Sequence, residues 1–160
     1  MSEEHEVEYV RIRTQSDLDQ LKYWLEDPEL LKMARMTEAS LKDEDFQEYL
    51  ETYSFFIVLD GLAVGYIRLF KTEDPDRGEI GVVIALPEYR EKGLGYTVGK
   101  RIVGTAMQMG IKTIDWATAD YNLPSVRLAK KLGFRFYKLI PEIIVIGNEK
   151  HDALIYRFGE

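Results

Sequence analysis

The chain alternates between two hydrophobic periods, one typical of strands and one typical of helices. Seven segments rich in β-branched and aromatic residues are predicted to be strands, at residues 7–13, 54–59, 62–70, 79–86, 111–119, 134–140 and 151–158. Four segments with apolar residues three and four positions apart are predicted to be helices, at residues 17–27, 40–52, 94–109 and 123–132. The order β-α-α-β-β-β-α-β-α-β-β predicts a mixed α/β domain.

Turn and capping residues mark several boundaries between these elements. Ser16 is predicted to cap the first helix, and Asp27-Pro28 to end it. Asp60-Gly61 lies between two apolar runs, which predicts an antiparallel hairpin. The strand–helix–strand order over residues 79–118 favours a parallel pair. Together these features predict a single mixed β-sheet flanked by helices.

Length and charge restrict the class of protein. The chain has 160 residues and no Pro/Gly/Ser-rich linker, so residues 1–160 are predicted to form one domain. Its formal charge of −7, from 28 acidic and 21 basic side chains, disfavours nucleic-acid binding because phosphate backbones attract basic surfaces. The same charge is compatible with a cationic substrate, although a solubilising surface explains it equally well.

Other compositional features argue against several kinds of site. No apolar run approaches the length of a membrane span, and the acidic start MSEEHEVE is unlike a secretory leader. The sequence therefore predicts a soluble, cytoplasmic protein that binds no membrane. The absence of cysteine excludes a disulfide framework and a thiol nucleophile. His5 and His151 stand without partners at metal-ligand spacing, so no metal site is predicted.

One loop, YREKGLGYTVGK at residues 89–100, has the features of an anion site. A predicted strand ends before it and a predicted helix begins within it, and the first turn of a helix presents unpaired N–H groups and a partial positive charge. Gly93 and Gly95 let an anion approach the backbone, and Arg90 and Lys92 add charge. A phosphate or diphosphate is the predicted ligand, and a tight turn that binds nothing is the alternative.

Two common phosphate-loop patterns do not fit this loop. The dinucleotide pattern G-x-G-x-x-G needs glycine where Val98 stands. The Walker A pattern needs four residues between its glycines and Ser or Thr after its lysine. Here five residues separate Gly93 from Gly99, and Arg101 stands at the Ser/Thr position. A third pattern, R/Q-x-x-G-x-G/A, matches REKGLG at residues 90–95.

This third pattern and its surroundings resemble the GNAT superfamily of N-acetyltransferases. The longer stretch EIGVVIALPEYREKGLG looks like the strand and loop of that family, and NLPSVRLAKKLGF at residues 122–134 resembles its later motif. The two motifs occur in family order on elements already predicted. RTQSDLDQLKYWLEDPEL and the ending HDALIYRF are most similar to the branch that contains ribosomal-protein alanine acetyltransferases. The resemblance implies the acyl-CoA N-acyltransferase fold.

The resemblance also implies that acetyl-CoA is the co-substrate. In the family the loop wraps the diphosphate, a main-chain N–H seven residues before the R/Q (Val83 here) stabilises the oxyanion, and Ala85 would pair with the pantetheine arm. The Asn of the later motif contacts the coenzyme, although Asn122 would also serve as an N-cap. The implied coenzyme-binding residues are Val83, Ala85, Arg90, Glu91, Lys92, Gly93, Leu94, Gly95, Tyr96, Asn122 and Ser125.

Glu79 is the predicted general base. The family often places an acidic base eleven residues before the R/Q of the loop, and counting back from Arg90 reaches Glu79. Alternation along the strand puts Glu79 on the same face as Val83 and Ala85. An ordinary exposed carboxylate at the end of a strand is the alternative.

The group that protonates the leaving thiolate departs from the family pattern. Many relatives have Tyr after the Leu of the second motif, where this chain has Ala129. Ser125 and Tyr121 are the candidate substitutes. Ser125 has the alternative role of bonding the backbone in the first turn of its helix.

The sequence therefore predicts an acetyl-CoA-dependent N-acetyltransferase that acts on a primary amine. The acceptor is either a protein N-terminus or a small amine such as a polyamine or aminoglycoside. Ala129 keeps open a different class, a GNAT-like module that binds acyl-CoA without catalysis, and a scaffold protein is a third reading. The sequence identifies neither the acceptor nor the oligomeric state, for which a homodimer is possible.

Overall fold

The computed structural model describes residues 6–159, so His5 and most of the acidic start lie outside the described residues. The elements are β1 (Val7–Arg11), α1 (Gln15–Leu25), α2 (Pro28–Arg35), α3 (Asp43–Glu51), β2 (Tyr53–Leu59), β3 (Leu62–Lys71), β4 (Arg77–Ile84), α4 (Leu94–Gln108), β5 (Thr113–Ala119), α5 (Leu123–Lys131), β6 (Arg135–Ile146) and β7 (Glu149–Gly159). No helix within these residues is long and apolar enough to cross a membrane.

The strands form a seven-stranded sheet in the order β1-β2-β3-β4-β5-β7-β6. Neighbouring strands are antiparallel except for β4 and β5, which are parallel. Asp60 and Gly61 have φ values of 49° and 80° and close the hairpin between β2 and β3. The predicted mixed sheet flanked by helices is therefore confirmed, as are the hairpin and the parallel pair.

The first helix ends just before Asp27-Pro28, as predicted, but a further helix that was not predicted, α2, starts there. The Asp27 carboxylate accepts a hydrogen bond from the N–H of Glu29 at 3.0 Å, and Pro28 occupies the first helical position, where a missing N–H costs nothing. The side chains of Leu30 and Leu31 are buried and pack this helix against the core. An Asp-Pro pair both stops one helix and starts the next.

The first helix is capped by Thr14 and not, as predicted, by Ser16. The Thr14 hydroxyl accepts from the N–H of Asp17 at 3.1 Å, and the Asp17 carboxylate accepts from the N–H of Thr14 at 3.0 Å. This reciprocal pair is a capping box, which satisfies two N–H groups that a helix start leaves unpaired. Ser16 lies inside the first turn.

The two faces of the sheet carry separate apolar cores. One core packs α4 and α5 against the face that includes Ile80, Val82 and Ile84 of β4. The other packs α1, α2 and α3 against the opposite face, which includes Val83 and Ala85. Because side chains alternate along a strand, Glu79 faces the side of α1–α3, as predicted.

Gly65 on β3 lets β4 approach closely beside the residues of interest. A Cβ atom at Gly65 would overlap the carbonyl oxygen of Val83 and lie 3.0 Å from the Cα of Ile84. Gly81 on β4 differs, because a Cβ there would meet nothing within 4 Å. The first glycine is required by backbone packing, and the second leaves an open space.

We predict that Gly65→Ala lowers the free energy of unfolding by about 1–3 kcal/mol, since two backbones must move apart. Gly81→Ala is the matched control on the facing strand, and it should leave stability unchanged or raise it slightly, because alanine loses less backbone entropy on folding. Urea denaturation measures both. Equal stabilities of the two variants would contradict this packing.

Candidate functional site

The central feature of the site is the separation of β4 from β5. The two strands pair at Arg77–Thr113, Gly78–Ile114 and Glu79–Asp115, and within residues 6–159 they pair no further. A cleft of about 780 Å³ opens between their continuing ends. Main chain from both strands lines it, together with the loop before α4 and the start of α5.

Hydrogen-bond direction along β4 decides which main-chain groups face this cleft. The N–H of Ala85 donates to Val64 on β3 at 2.8 Å, whereas the carbonyl of Asp76 accepts from Thr113 on the β5 side at 3.1 Å. Because successive residues of a strand point their N–H groups in opposite directions, odd-numbered residues of β4 face β3 and even-numbered residues face β5. Val82 and Ile84 therefore present their N–H groups to the cleft.

This direction corrects two predicted coenzyme contacts. Ala85 is buried, does not line the cleft, and has its N–H bonded to Val64. Val83 pairs with Tyr66 on β3, so its N–H points away from the cleft as well. Each predicted residue lies one position away from a residue whose N–H faces the cleft. A shift of one position along a strand reverses the direction of the N–H.

The loop between β4 and α4 ends in an uncapped helix start. Gly93 has φ 82° at the N-cap position, and Glu91 has φ 60°. The first internal helical bond runs from the N–H of Thr97 to the carbonyl of Gly93 at 3.1 Å. The N–H groups of residues 94–96 thus have no helical acceptor, and no side chain caps this helix. Such a start attracts an anion.

Arg90 and Lys92 differ in what they contact. The Arg90 guanidinium turns back onto β4, where its Nε donates to the carbonyl of Ile84 at 2.9 Å and its Nη2 to that of Ala85 at 3.1 Å. The main role of this side chain is to tie the loop to the end of the strand. Arg90 also lines the cleft, and bonds to neutral carbonyls leave its positive charge there, as predicted. Lys92 is exposed.

The two glycines of the loop motif are needed for different reasons. Gly93 adopts a left-handed conformation that other residues enter at a cost. Gly95 lies in the first turn of α4, and a Cβ there would lie 3.1 Å from Cδ2 of Leu128 on α5. Gly95 therefore also serves the packing of the two helices.

The start of α5 forms the far wall of the cleft. The Asn122 carboxamide oxygen accepts from the N–H of Ser125 at 3.4 Å, as an N-cap does. The indole N–H of Trp116 donates to the Ser125 hydroxyl at 2.9 Å. Since Ser125 accepts this bond and lines the cleft, its own proton can be donated toward the cleft.

Tyr121, the other predicted acid, lies outside the cleft. Its hydroxyl donates to the carbonyl of Lys32 at 3.0 Å, and its ring meets the His151 ring edge-on at 5.0 Å between centroids. Burial raises the pKa of the Tyr121 phenol, and the nearby carboxylates of Asp120 and Glu29 raise it further. It joins α2 to the sheet and is not brought together with Ser125.

Glu79 lines a second cavity of about 290 Å³. Burial raises the pKa of this half-buried carboxyl group, and the facing Asp115 raises it further, whereas Arg68 and Arg77 oppose the rise. Asp115 itself is bonded by the Arg157 guanidinium at 2.7 and 3.1 Å. A carboxylate with a raised pKa is suited to accept a proton.

The second cavity meets the cleft along one line of residues. Both are lined by Ala34, Ile80, Gly81, Val83 and Ala117. A group in the second cavity therefore has access to the point where β4 and β5 separate. The site has an uncapped helix start at α4 and a carboxylate at the opposite end.

The sequence reasoning missed several residues of the site. Arg68 is a buried arginine within the apolar strand β3 and lines the second cavity. A charged residue inside an otherwise apolar strand was the available signal. Lys131, an exposed residue at the end of α5, also lines the cleft, with its ammonium 4.5 Å from the centre of the Tyr96 ring.

Comparison with known proteins identifies the class. The model of the acetyltransferase (GNAT) family matches residues 16–134, and the chain belongs to this family. A curated relative, the mouse α/β-tubulin-N-acetyltransferase 9, is 30% identical over 132 residues. That match covers 70% of this chain and 55% of the relative, so the chain spans about half of that protein's length.

Solved structures share the fold. The GNAT-family acetyltransferase from Bacillus anthracis is 23% identical, with a TM-score of 0.77 and 97% of each chain covered. The yncA protein from Salmonella typhimurium, solved with its cofactor acetyl-CoA, is 17% identical, with a TM-score of 0.80 over 98% of this chain and 94% of that one. At these identities the likeness concerns the fold alone.

We predict that Arg90→Met lowers the free energy of unfolding by about 1 kcal/mol, since two hydrogen bonds to carbonyls are lost. Lys92→Met removes the same charge from the same loop and should not change stability. Thermal unfolding without ligand measures both. Unchanged stability in Arg90→Met would show that the arginine does not tie the loop to the strand.

Proposed function

We propose that the protein is an N-acetyltransferase that moves an acetyl group from acetyl-CoA to a primary amine by direct attack. The observation that carries this proposal is the contact between the two cavities. A carboxyl group with a raised pKa, Glu79, lies in a cavity that opens on the cleft between β4 and β5. The other end of that cleft is an uncapped helix start that suits a diphosphate.

The chemical groups that line the cleft match those of the coenzyme. The N–H groups of residues 94–96 would hold the diphosphate, and Lys131 lies on the same wall. The open N–H groups of Val82 and Ile84 and the carbonyl of Val82 would pair with the pantetheine arm, as an added strand pairs with a sheet edge. The coenzyme supplies an acetyl thioester. The protein positions it and removes the proton from the attacking amine.

Glu79 is proposed to accept the proton of the amine. A protonated amine is not a nucleophile, and a peptide α-amine has an ordinary pKa of about 7.7–8.0. Because burial and Asp115 raise its pKa, Glu79 is a stronger base than an exposed carboxylate. An N–H of Val82 or Ile84 would stabilise the charge that develops on the acyl oxygen, as main-chain donors do in oxyanion holes.

Ser125 is proposed to protonate the leaving thiolate. Its hydroxyl is oriented by Trp116 and lines the cleft. The Tyr121 proton is already donated to Lys32, and Ala129, which stands where relatives have Tyr, is fully buried. We expect Ser125 to be helpful and not essential, since a thiol is a fair leaving group.

The acceptor is proposed to be a primary amine. The sequence pattern of the ribosomal-protein alanine acetyltransferase branch and the name of the mouse relative favour a protein acceptor. The cavity of about 290 Å³ at Glu79 would also admit a small amine.

The proposal is tested by release of free thiol from acetyl-CoA with a panel of amines. Amine-dependent release supports it. Binding of coenzyme A without release by any amine would favour a non-catalytic binding module. A ligand at 100 times its Kd adds about 2.7 kcal/mol to stability, so the absence of any thermal shift with coenzyme A would exclude both.

We predict that Glu79→Gln lowers kcat by roughly 10²–10⁴-fold and leaves coenzyme A affinity nearly unchanged. In the wild type the rate should fall as the pH drops through the raised pKa of Glu79, because only the ionised form accepts a proton. This acidic limb should vanish in Glu79→Gln. Glu88→Gln is the control, an exposed carboxylate that does not line the cleft. An unchanged pH–rate profile in Glu79→Gln would remove Glu79 from the mechanism.

A further inference from the structure

Arg68 is the most unusual residue outside the predicted motifs. It lies in the middle of β3, and its side chain is only 4% exposed. Its guanidinium lies 3.8 Å from the centre of the Tyr49 ring and 4.2 Å from that of Phe70. The aromatic rings hold the charged group at the wall of the Glu79 cavity.

The hydrogen-bond donors of Arg68 are poorly satisfied by the described residues. Its Nη2 donates to the Thr52 hydroxyl at 3.1 Å, whereas its buried Nε has no acceptor. The nearest carboxylate oxygen, on Glu48, is 3.8 Å away. A buried donor without an acceptor is costly, and so is a buried cation without close pairing.

The cavity is lined by two arginines and two glutamates, and its two guanidinium groups lie together on the side of Arg68, apart from Glu79 on β4. The half-exposed Glu48 carboxylate is shared between Arg68 and Arg35, whose Nη2 is 3.4 Å from the same oxygen. One carboxylate thus faces two guanidinium groups. The formal charge of −7 for the whole chain, which is compatible with a cationic substrate, does not describe this cavity.

The sheet register places Arg68 beside Glu79. Arg68 pairs with Gly81, and Phe70 pairs with Glu79, so all four share one face. Gly81 has no side chain, which leaves open space directly beside Arg68. Arg68 and Glu79 are diagonal neighbours, whose backbone positions are typically about 7–8 Å apart. Arg68 and Glu79 also line the same cavity of about 290 Å³, so a cation and a carboxylate face one space.

We propose that Arg68, supported by Arg35, binds an oxyanion group of the acceptor, and that the acceptor is an amine with a carboxylate or similar group a few bonds from its nitrogen. This inference rests on the proposed acetyl transfer. The oxyanion would accept hydrogen bonds from the Arg68 guanidinium, which lines the cavity and has no close carboxylate partner, while the amine lies at Glu79. The carboxylate belongs either to a free amino acid or to an acidic side chain near a peptide N-terminus.

The first test uses the wild-type protein and matched pairs of acceptors. Alanine is compared with alaninamide, and the dipeptide amide Ala-Glu-NH₂ with Ala-Gln-NH₂. Rates are expressed per unprotonated amine, since a neighbouring carboxylate changes the pKa of the amine. We expect kcat/KM at least ten-fold higher for the acid than for the amide in one pair. The pair that shows the preference identifies the source of the carboxylate.

The second test removes the guanidinium. Arg68→Gln should bring the acid-to-amide ratio close to one by raising KM for the acid, with KM for acetyl-CoA unchanged, and Arg68→Lys should restore part of the ratio. Arg11→Gln is the matched control. Arg11 also contacts Thr52 and stacks on an aromatic ring, but it lines neither cavity.

Several outcomes would overturn the inference. In the wild type, an acid-to-amide ratio of kcat/KM of one or below in both pairs would overturn it. A high ratio that persists in Arg68→Gln would also overturn it. If Arg68→Gln does not fold, Arg35→Gln gives the second measurement, because its side chain is 21% exposed. A reduced ratio is expected there too, and an unchanged one contradicts the proposal.

The failure of acetyl transfer is distinguishable from the failure of this site. If no amine releases thiol, the proposed function fails. The site is then tested by titration of N-acetylalanine against N-acetylalaninamide in the presence of coenzyme A. Tighter binding of the acid that is lost in Arg68→Gln supports the oxyanion site on its own, and equal binding rejects it. Acetyl transfer only to polyamines or neutral amines would support the proposed function and reject the oxyanion site at Arg68.

Discussion

The separation of β4 and β5 after Glu79 is the constraint on which the site depends. Strands that stay paired satisfy each other's N–H and C=O groups, whereas these two leave the N–H groups of Val82 and Ile84 open to a cleft. The last paired position brings Glu79 and Asp115 side by side. The divergence creates the cleft, and the last pair before it adds the effect of Asp115 to that of burial in raising the pKa of Glu79.

Both backbone and side-chain interactions position the loop beside this cleft. The Arg90 guanidinium bonds the end of β4, and the Thr97–Gly93 bond begins α4, so the loop between them is held at both ends. Gly93 supplies a conformation, and Gly95 supplies a close helix contact. A short motif therefore contains residues that shape the proposed anion site through the backbone and through packing.

Local patterns predicted much of this structure. Asp60-Gly61 identified the hairpin, REKGLG identified the loop, and alternation placed Glu79 on the correct face. What failed depended on partners distant in the sequence. The direction of the Val83 N–H is set by the register with β3, and the partner of the Tyr121 hydroxyl lies on α2, a helix hidden by an Asp-Pro pair that both ends and starts a helix.

The central claim is that the even-numbered main chain of β4 and the first turn of α4 hold the coenzyme together. A crystal structure with acetyl-CoA bound tests it most directly. The claim predicts the diphosphate at the N–H groups of residues 94–96 and the acyl oxygen within hydrogen-bond distance of the N–H of Val82 or Ile84. A diphosphate elsewhere, or an acyl oxygen bonded to the N–H of Val83, would contradict it.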